Sequence, residues 1–438
     1  MSVSVLRYPR ALAAVIIFLL CAPIAALAAN LPTSGIDSSM GLSIHFTRGN
    51  TKDLDMMAAA GVKIVRTDFK WSDTEYIKGV YDWSAYDELA ANIVARGMRP
   101  YFILDYSNAL YEQVTVSWPD GSPVTAFINS PHTADSVAGF AAWARAAALH
   151  FQSQQVIWEI WNEPNLPMFW KPWVNVDDYA ALAVATCNAI HGAVPDAAVV
   201  GGATSGIDTA FLQHLFGSGV LDCLDAVSVH PYRGATPDSV SGSFQYLRLM
   251  IDQAAPAYRY GAIPIISGEW GYSTVINGLS EADQASYLVR MQLVNLFNNI
   301  PISIWYDWKN DGVDPSNNEH NFGIVSNALQ PKLGYQALKT LSAQLSGYRI
   351  LQRVNVGGSL DCVLLLVNAA GKYKAVVWTA GGAHSVRLLN NFSGNAVVQF
   401  IDVYGASRDV NIGWAGVLVP LTAAPQYINM GSLPIPPP

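Results

Sequence analysis

Residues 156 to 165 read VIWEIWNEPN, an apolar, strand-like run closed by polar and turn-forming residues, with glutamates at positions 159 and 163. A carboxylate inside such a run is costly to bury unless it is paired, so at least one of the two has a task that offsets the cost. The run is one of a series. Short apolar stretches recur at GLSIHF (41–46), KIVRTDF (63–69), RPYFILDY (99–106), VIWEIW (156–161), AAVVGGA (197–203), AVSVHPY (226–232), PIISGEW (264–270) and ISIWYDW (302–308). Helix-patterned segments separate them, among them SAYDELAANIVARG, with Gly97 as its stop, and EADQASYLVRMQLVNLFNN. Strand followed by helix, eight times within residues 36–345, predicts a closed (β/α)₈ TIM barrel rather than a doubly wound open sheet.

The barrel turns the opening glutamates into geometry, because sites in this fold form at the carboxyl ends of the strands. Glu159 falls inside the fourth strand, and a structural pairing with a cation such as Arg66 is expected. Glu163 falls at its end, where Pro164 stops the ladder and fixes the carboxylate at the rim. The plainer reading of Glu163 is a solvated loop carboxylate. A second carboxylate, Glu269 in PIISGEWGYS, closes the seventh strand between a Gly that permits close backbone approach and a Trp. Two carboxylates facing each other across a barrel mouth suit hydrolysis of a glycosidic bond with retention, in which one protonates the leaving oxygen and the other attacks the anomeric carbon. The attacking group must stay ionised, and Arg66 and His230 occupy rim positions from which they could hold it so.

Composition narrows the field in the same direction. Of 438 residues, 51% are hydrophobic and 13% charged, which excludes a disordered chain, and a net charge of −8 without any basic cluster argues against nucleic acid as partner. The 13 Trp and 20 Tyr supply flat apolar faces that suit sugar rings. Residues 1–29 carry two arginines, an apolar core and Ala-Leu-Ala-Ala, the pattern of a secretory signal peptide. The core is short for a bilayer anchor, so an exported chain, periplasmic or extracellular, with no membrane span after cleavage is expected. Past the leader three cysteines remain, and Cys187 with Cys223 is the plausible disulfide; two reduced thiols are the alternative. From residue 346 the pattern changes to VLLLVNAAGKYKAVVWTAGGAHSVRLL, which predicts a small antiparallel β-sandwich over 346–430, and residues 431–438 form a Pro-rich tail.

WNEP together with GEW resembles the acid/base and nucleophile signatures of the retaining glycoside hydrolase clan built on (β/α)₈ barrels. EIWNEPN and the following β-domain are most similar to family 39, which includes β-xylosidases, α-L-iduronidases and bacterial exopolysaccharide endoglycosidases. ILDYSN (103–108) and WYDWKNDG (305–312) resemble the last group, the hydrolases encoded with Psl-type biofilm polysaccharide clusters. The resemblance implies Glu163 as acid/base, Glu269 as nucleophile and Asn162 as partner of the sugar 2-hydroxyl, with Arg66, His230 and Tyr232 in support. It leaves Trp305 and Trp308 as alternative aromatic platforms.

Other candidates carry two readings each. His230 in VSVHPY is a core histidine or a rim group, and the following Pro231 and Tyr232 favour the rim. Asp105 and Asp307 bind sugar hydroxyls or cap loops. Trp170 and Trp173 in NLPMFWKPW pack a lid or stack on sugars, with stacking favoured. GGATSG (201–206) lacks a phosphate-loop lysine and reads as a turn, and the eight histidines show no metal-binding spacing, so neither cofactor nor metal is implied. Three functions remain: an endo-acting hydrolase of a polysaccharide, an exo-acting xylosidase-like enzyme, or a non-catalytic component of a polysaccharide export complex.

Overall fold

The computed structural model describes residues 31–388 and 396–433; the expected leader (1–29) and most of the expected tail lie outside the described residues. Eight strands form one closed parallel barrel: β1 (Met40–Ser43), β2 (Ile64–Lys70), β3 (Arg99–Asp105), β4 (Ile157–Ile160), β5 (Ala198–Ser205), β6 (Ala226–His230), β7 (Ile265–Trp270) and β8 (Ser303–Trp305). The expected strands and observed strands coincide to within a few residues at their ends. A helix follows each strand: α1 (Thr51–Ala59), α2 (Ser84–Val94), α3 (Ala134–His150), α4 (Val176–Ala193), α5 (Thr209–Gly217), α6 (Ser241–Ala254), α7 (Glu281–Phe297) and α8 (Leu333–Leu345). Their starts are set locally. Thr133 and Ser280 head capping boxes with Ser136 and Asp283, while Asn175 and Asp208 cap α4 and α5 through their side-chain oxygens.

Period-two alternation sorts the strand residues into two cores. One set faces the helices; there Phe69 lies within ring contact of Trp83, Tyr86, Phe102, Trp143, Phe151 and Trp158. The other set fills the barrel, where Ile64, Tyr101, Ile157, Val200, Ala226, Ile266, Ile302 and Ile304 make an apolar floor. Two residues further along the strands the interior turns polar, with Arg66, Glu159, Ser228 and His230 all buried. The floor excludes water from below, so this polar layer is open only towards the mouth.

Beyond the barrel, a six-stranded antiparallel sheet runs in the order β9 (Tyr348–Arg353), β10 (Asp361–Asn368), β11 (Tyr373–Thr379), β16 (Gln426–Gly431), β13 (Ala396–Ile401), β14 (Ser407–Ile412). A two-stranded ribbon, β12 (His384–Leu388) with β15 (Val417–Leu421), covers one face, so the expected sandwich is strongly unequal, six strands against two. Val363, Leu365 and Val377 face the ribbon. Leu364, Leu366, Val376 and Trp378 join the barrel's own outer core. Trp378 donates its indole N–H to Asp238, which also pairs with Arg290 of α7, and Lys374 reaches the Gln344 carbonyl at the end of α8. Cys187 of α4 is disulfide-bonded to Cys223, and no described helix is long and apolar enough to cross a membrane.

Candidate active site

Arg66 organises the mouth. As the second inward-facing residue of β2 it is enclosed, and every contact it makes is with an acceptor. Its Nε donates to Glu159 Oε2 at 2.8 Å, Nη1 to Glu269 Oε2 at 2.6 Å, and Nη2 to Asn162 Oδ1 at 3.1 Å. Glu159 also accepts from the Tyr101 hydroxyl at 2.9 Å and the Ser228 hydroxyl at 2.5 Å, so the interior glutamate of VIWEIWNEPN is the structural partner expected of it. Guanidinium nitrogens only donate. His230 Nε2, 3.2 Å from Arg66 Nη2, is therefore an acceptor, which leaves its Nδ1 to donate to Glu163 Oε1 at 3.0 Å. By the same logic Asn162 turns its oxygen to Arg66, and its Nδ2 is the end available to a ligand.

Both rim glutamates sit where strand alternation is broken. After Glu159 the chain should place Trp161 inward; instead Trp161 takes φ +66° and Glu163 φ +44°, left-handed conformations that are uncommon for large side chains and accumulate at functional sites. This turns Trp161 out against Trp170 and Phe140 and brings Asn162 and Glu163 to the mouth, with the Glu163 N–H held by the Ala203 carbonyl of β5. On β7 the pairing with β8 slips between Ser267 and Trp270, and Glu269 lies within that irregularity. Gly268 is required beside it: a Cβ there would stand 2.2 Å from the Ser228 hydroxyl and 3.0 Å from Glu159 Oε1.

One oxygen of Glu163, one of Glu269 and a His230 ring nitrogen lie within 4.8 Å of one another. The Glu269 carboxyl accepts from the Tyr232 hydroxyl at 2.8 Å and from Arg66. Burial acts to raise its pKa, but His230, the Arg66 guanidinium and the Tyr232 hydroxyl outweigh it, and the carboxyl lies below its ordinary value. Burial and the neighbouring Glu269 in turn keep the Tyr232 phenol protonated, well above its usual range. Such a carboxylate is equipped to attack an electrophilic carbon, and a second carboxyl this close can deliver a proton to the group that leaves.

A cavity of about 370 Å³ opens over these groups, lined on one side by Arg66, Asn162 and Glu269 and on the other by His45, Phe46, Asp68, Lys70 and Tyr306. A second, of about 460 Å³, continues outward under the hairpin Val114–Ser117/Pro123–Ile128, and Tyr106 and Phe169 line both. Several expected contacts take other places. Trp170, Trp305 and Trp308 are fully enclosed: Trp170 packs on Trp161 and Tyr179, Trp305 on Tyr272, and Trp308 donates its indole N–H to Asp53. The β8 aromatic that reaches the cavity is Tyr306, between the two tryptophans. Ile302 and Ile304 already set the inward phase, so Tyr306 was legible from alternation. Asp105 and Asp307 are buried as well, the latter accepting from the Trp308 N–H and facing His45, which is the capping role. Trp173 alone of the expected platforms is open, 52% exposed and stacked on Trp118 at 5.3 Å.

The family profile Cellulase (glycosyl hydrolase family 5) matches residues 29–312. No curated protein matches the sequence. Among solved structures, a family 39 glycoside hydrolase from Bacteroides cellulosilyticus is similar at 24% identity over 90% of this chain and 81% of that one, with a TM-score of 0.75. A monomeric β-xylosidase from Caulobacter crescentus is similar at 16% identity over 93% and 98%, TM-score 0.65. A family 30 endoxylanase from Clostridium papyrosolvens follows at 11% over 91% and 97%, TM-score 0.63. At these identities the structural likenesses speak for the fold alone, a (β/α)₈ barrel with an appended β-domain.

Proposed function

The chain belongs to the cellulase family of glycosyl hydrolases, family 5, a retaining glycoside hydrolase, and from that premise we propose that it cleaves an exported polysaccharide internally, with Glu269 as nucleophile and Glu163 as acid/base. The observation that carries this is the pair itself: oxygens within 4.8 Å, below the separation of about 6.5 Å or more that an inverting enzyme needs to admit water. Glu269, held ionised by Arg66 and Tyr232, attacks the anomeric carbon while Glu163 protonates the departing oxygen. In the second half Glu163 takes a proton from water, which releases the sugar from Glu269. In this reading Asn162, whose Oδ1 is held by Arg66, donates from Nδ2 to the sugar 2-hydroxyl.

Internal cleavage is supported by the two cavities that meet at Tyr106 and Phe169, since a chain can run through both, and by the open face of Trp173 further out. A matrix exopolysaccharide as substrate rests on the resemblance of ILDYSN and WYDWKNDG to such hydrolases, and export rests on the leader-like first 29 residues and the disulfide. Purified exopolysaccharides and aryl glycosides should be tested with wild type, Glu269→Gln and Glu163→Gln. Glu269→Gln should abolish every turnover; Glu163→Gln should spare substrates with good leaving groups and regain activity with azide. Oligosaccharide products support internal cleavage, and monosaccharides alone would overturn it in favour of a xylosidase-like exo mode.

A further inference from the structure

Asp105 ends β3 with its side chain fully enclosed, yet neither carboxyl oxygen receives an N–H or O–H donor among the described residues. An ionised carboxylate in that position would be expensive. Its neighbour is Asp68 on the adjacent strand, where pairing of Asp68 with Ile103 and of Lys70 with Asp105 places both acids on the inward phase of β2 and β3. Asp68 differs: its side chain is 37% exposed, lines the 370 Å³ cavity and has Lys70 Nζ 3.8 Å from Oδ2.

We propose that Asp105 and Asp68 form a proton-sharing carboxyl pair, in which buried Asp105 holds the proton and donates to Asp68, and Asp68 accepts the hydroxyls of a neutral sugar at this end of the cavity. The proposal rests on the reading of that cavity as a sugar site. The groups facing Asp105 are Asp68, Lys70 and Arg66 of β2, Tyr86 of α2 and the adjoining Tyr106. Arg66 is committed to Glu159, Glu269 and Asn162, and the Tyr86 hydroxyl oxygen accepts from the Lys70 backbone N–H. No N–H or O–H of the described residues, those of Tyr86, Tyr106 and Lys70 included, bonds Asp105, so the two adjacent carboxyls share one proton, and the enclosed member keeps it. Burial first, and the Asp68 charge second, push the Asp105 pKa well above the carboxylate range. Oriented from below, Asp68 presents acceptor lone pairs to the cavity beside Asp73 and Glu269. With Arg66 spent on Glu159 and Glu269, the three carboxylates outnumber Lys70, the other Lys/Arg of the lining, and so favour hydroxyls over a uronic acid, whose own carboxylate would add a further like charge.

Asp105→Asn keeps an N–H donor for Asp68, whereas Asp105→Leu removes it. Difference infrared spectra at neutral pH should show a protonated-carboxyl band in wild type that Asp105→Asn lacks. With nitrophenyl glycosides of neutral hexoses, KM of wild type should rise at alkaline pH as the shared proton is lost. Asp105→Asn should stay within about twofold of wild type at neutral pH with a flat profile, and Asp105→Leu should raise KM about tenfold at little change in kcat, the effect of one lost charge-assisted hydrogen bond. The corresponding uronides should be poor substrates of wild type. The pair is overturned by absence of the band, by an Asn variant as impaired as Leu, or by uronides accepted as readily as neutral sugars. If wild type hydrolyses no glycoside, the enzymatic reading fails, and the infrared difference still decides the pair.

Discussion

Glu159 and Asp105 are both acids with no solvent exposure, on adjacent strands of one barrel, and their surroundings are opposite. Glu159 accepts from the guanidinium of Arg66, the Tyr101 hydroxyl and the Ser228 hydroxyl; Asp105 faces another acid, and among the described residues no donor bonds it. Burial alone therefore does not say what a carboxyl does. One carboxyl anchors the cation that aims Glu269, and the other stores a proton beside the cavity. The donors within reach of Glu159, which come from β2, β3 and β6 rather than from its own strand β4, make the difference.

The comparison breaks if the two positions respond alike to mutation. The largest effect is expected for Glu159→Ala, which leaves Arg66 enclosed with an unmatched charge and should destabilise by about 3–5 kcal/mol in urea unfolding. Tyr101→Phe, which removes one donor to the same carboxyl, should cost about 1–2 kcal/mol by the same measurement. Asp105→Asn should go the other way. In the unfolded chain this carboxyl titrates at about 4, while the folded form keeps its proton to higher pH, so stability is lost as pH rises from there through the folded pKa. Asn has no such loss, and its melting temperature should exceed that of wild type at pH 8 by more than at pH 5. The smallest effect sharpens the picture at Glu269. Without the Tyr232 hydroxyl its pKa should move up, so Tyr232→Phe should shift the acid limb of kcat/KM toward neutrality by a fraction of a pH unit, and an unmoved limb would mean Arg66 and His230 suffice.

Much of this was legible in the sequence. The eight strands and the closed barrel follow from alternation, and the pairing of Glu159 with Arg66, the grouping of Arg66 and His230 around Glu269, and the tight role of Gly268 follow from strand ends and buried charge. What escaped was of two kinds. Trp305 and Trp308 attracted attention as large aromatics, while the phase set by Ile302 and Ile304 points Tyr306 into the barrel. The hairpin over Val114–Ser117 and Pro123–Ile128 was marked locally by the turn residues Pro119, Asp120 and Gly121, whereas the contact between Tyr106 and Phe169 and the lack of donors bonding Asp105 depend on segments distant in the chain, which no local pattern encodes. The left-handed Trp161 and Glu163 belong here too, because nothing but the tertiary environment holds large residues in that conformation.

The six-stranded sheet bears on how the polypeptide comes into being. One of its faces is shared with the outer core of the barrel through Leu364, Leu366, Val376 and Trp378, and Asp238 ties Trp378 to Arg290 of α7. During synthesis the barrel segment leaves the ribosome first, with the surface that receives this sheet still bare. β9, β10 and β11 can pair and cover part of that surface as they emerge, but β13 and β14 join the sheet only through β16, which pairs with both β11 and β13. A nascent chain paused before residue 426 therefore leaves β13, with its core residue Ile401, without a sheet to join, an apolar segment open to chaperones until β16 is made.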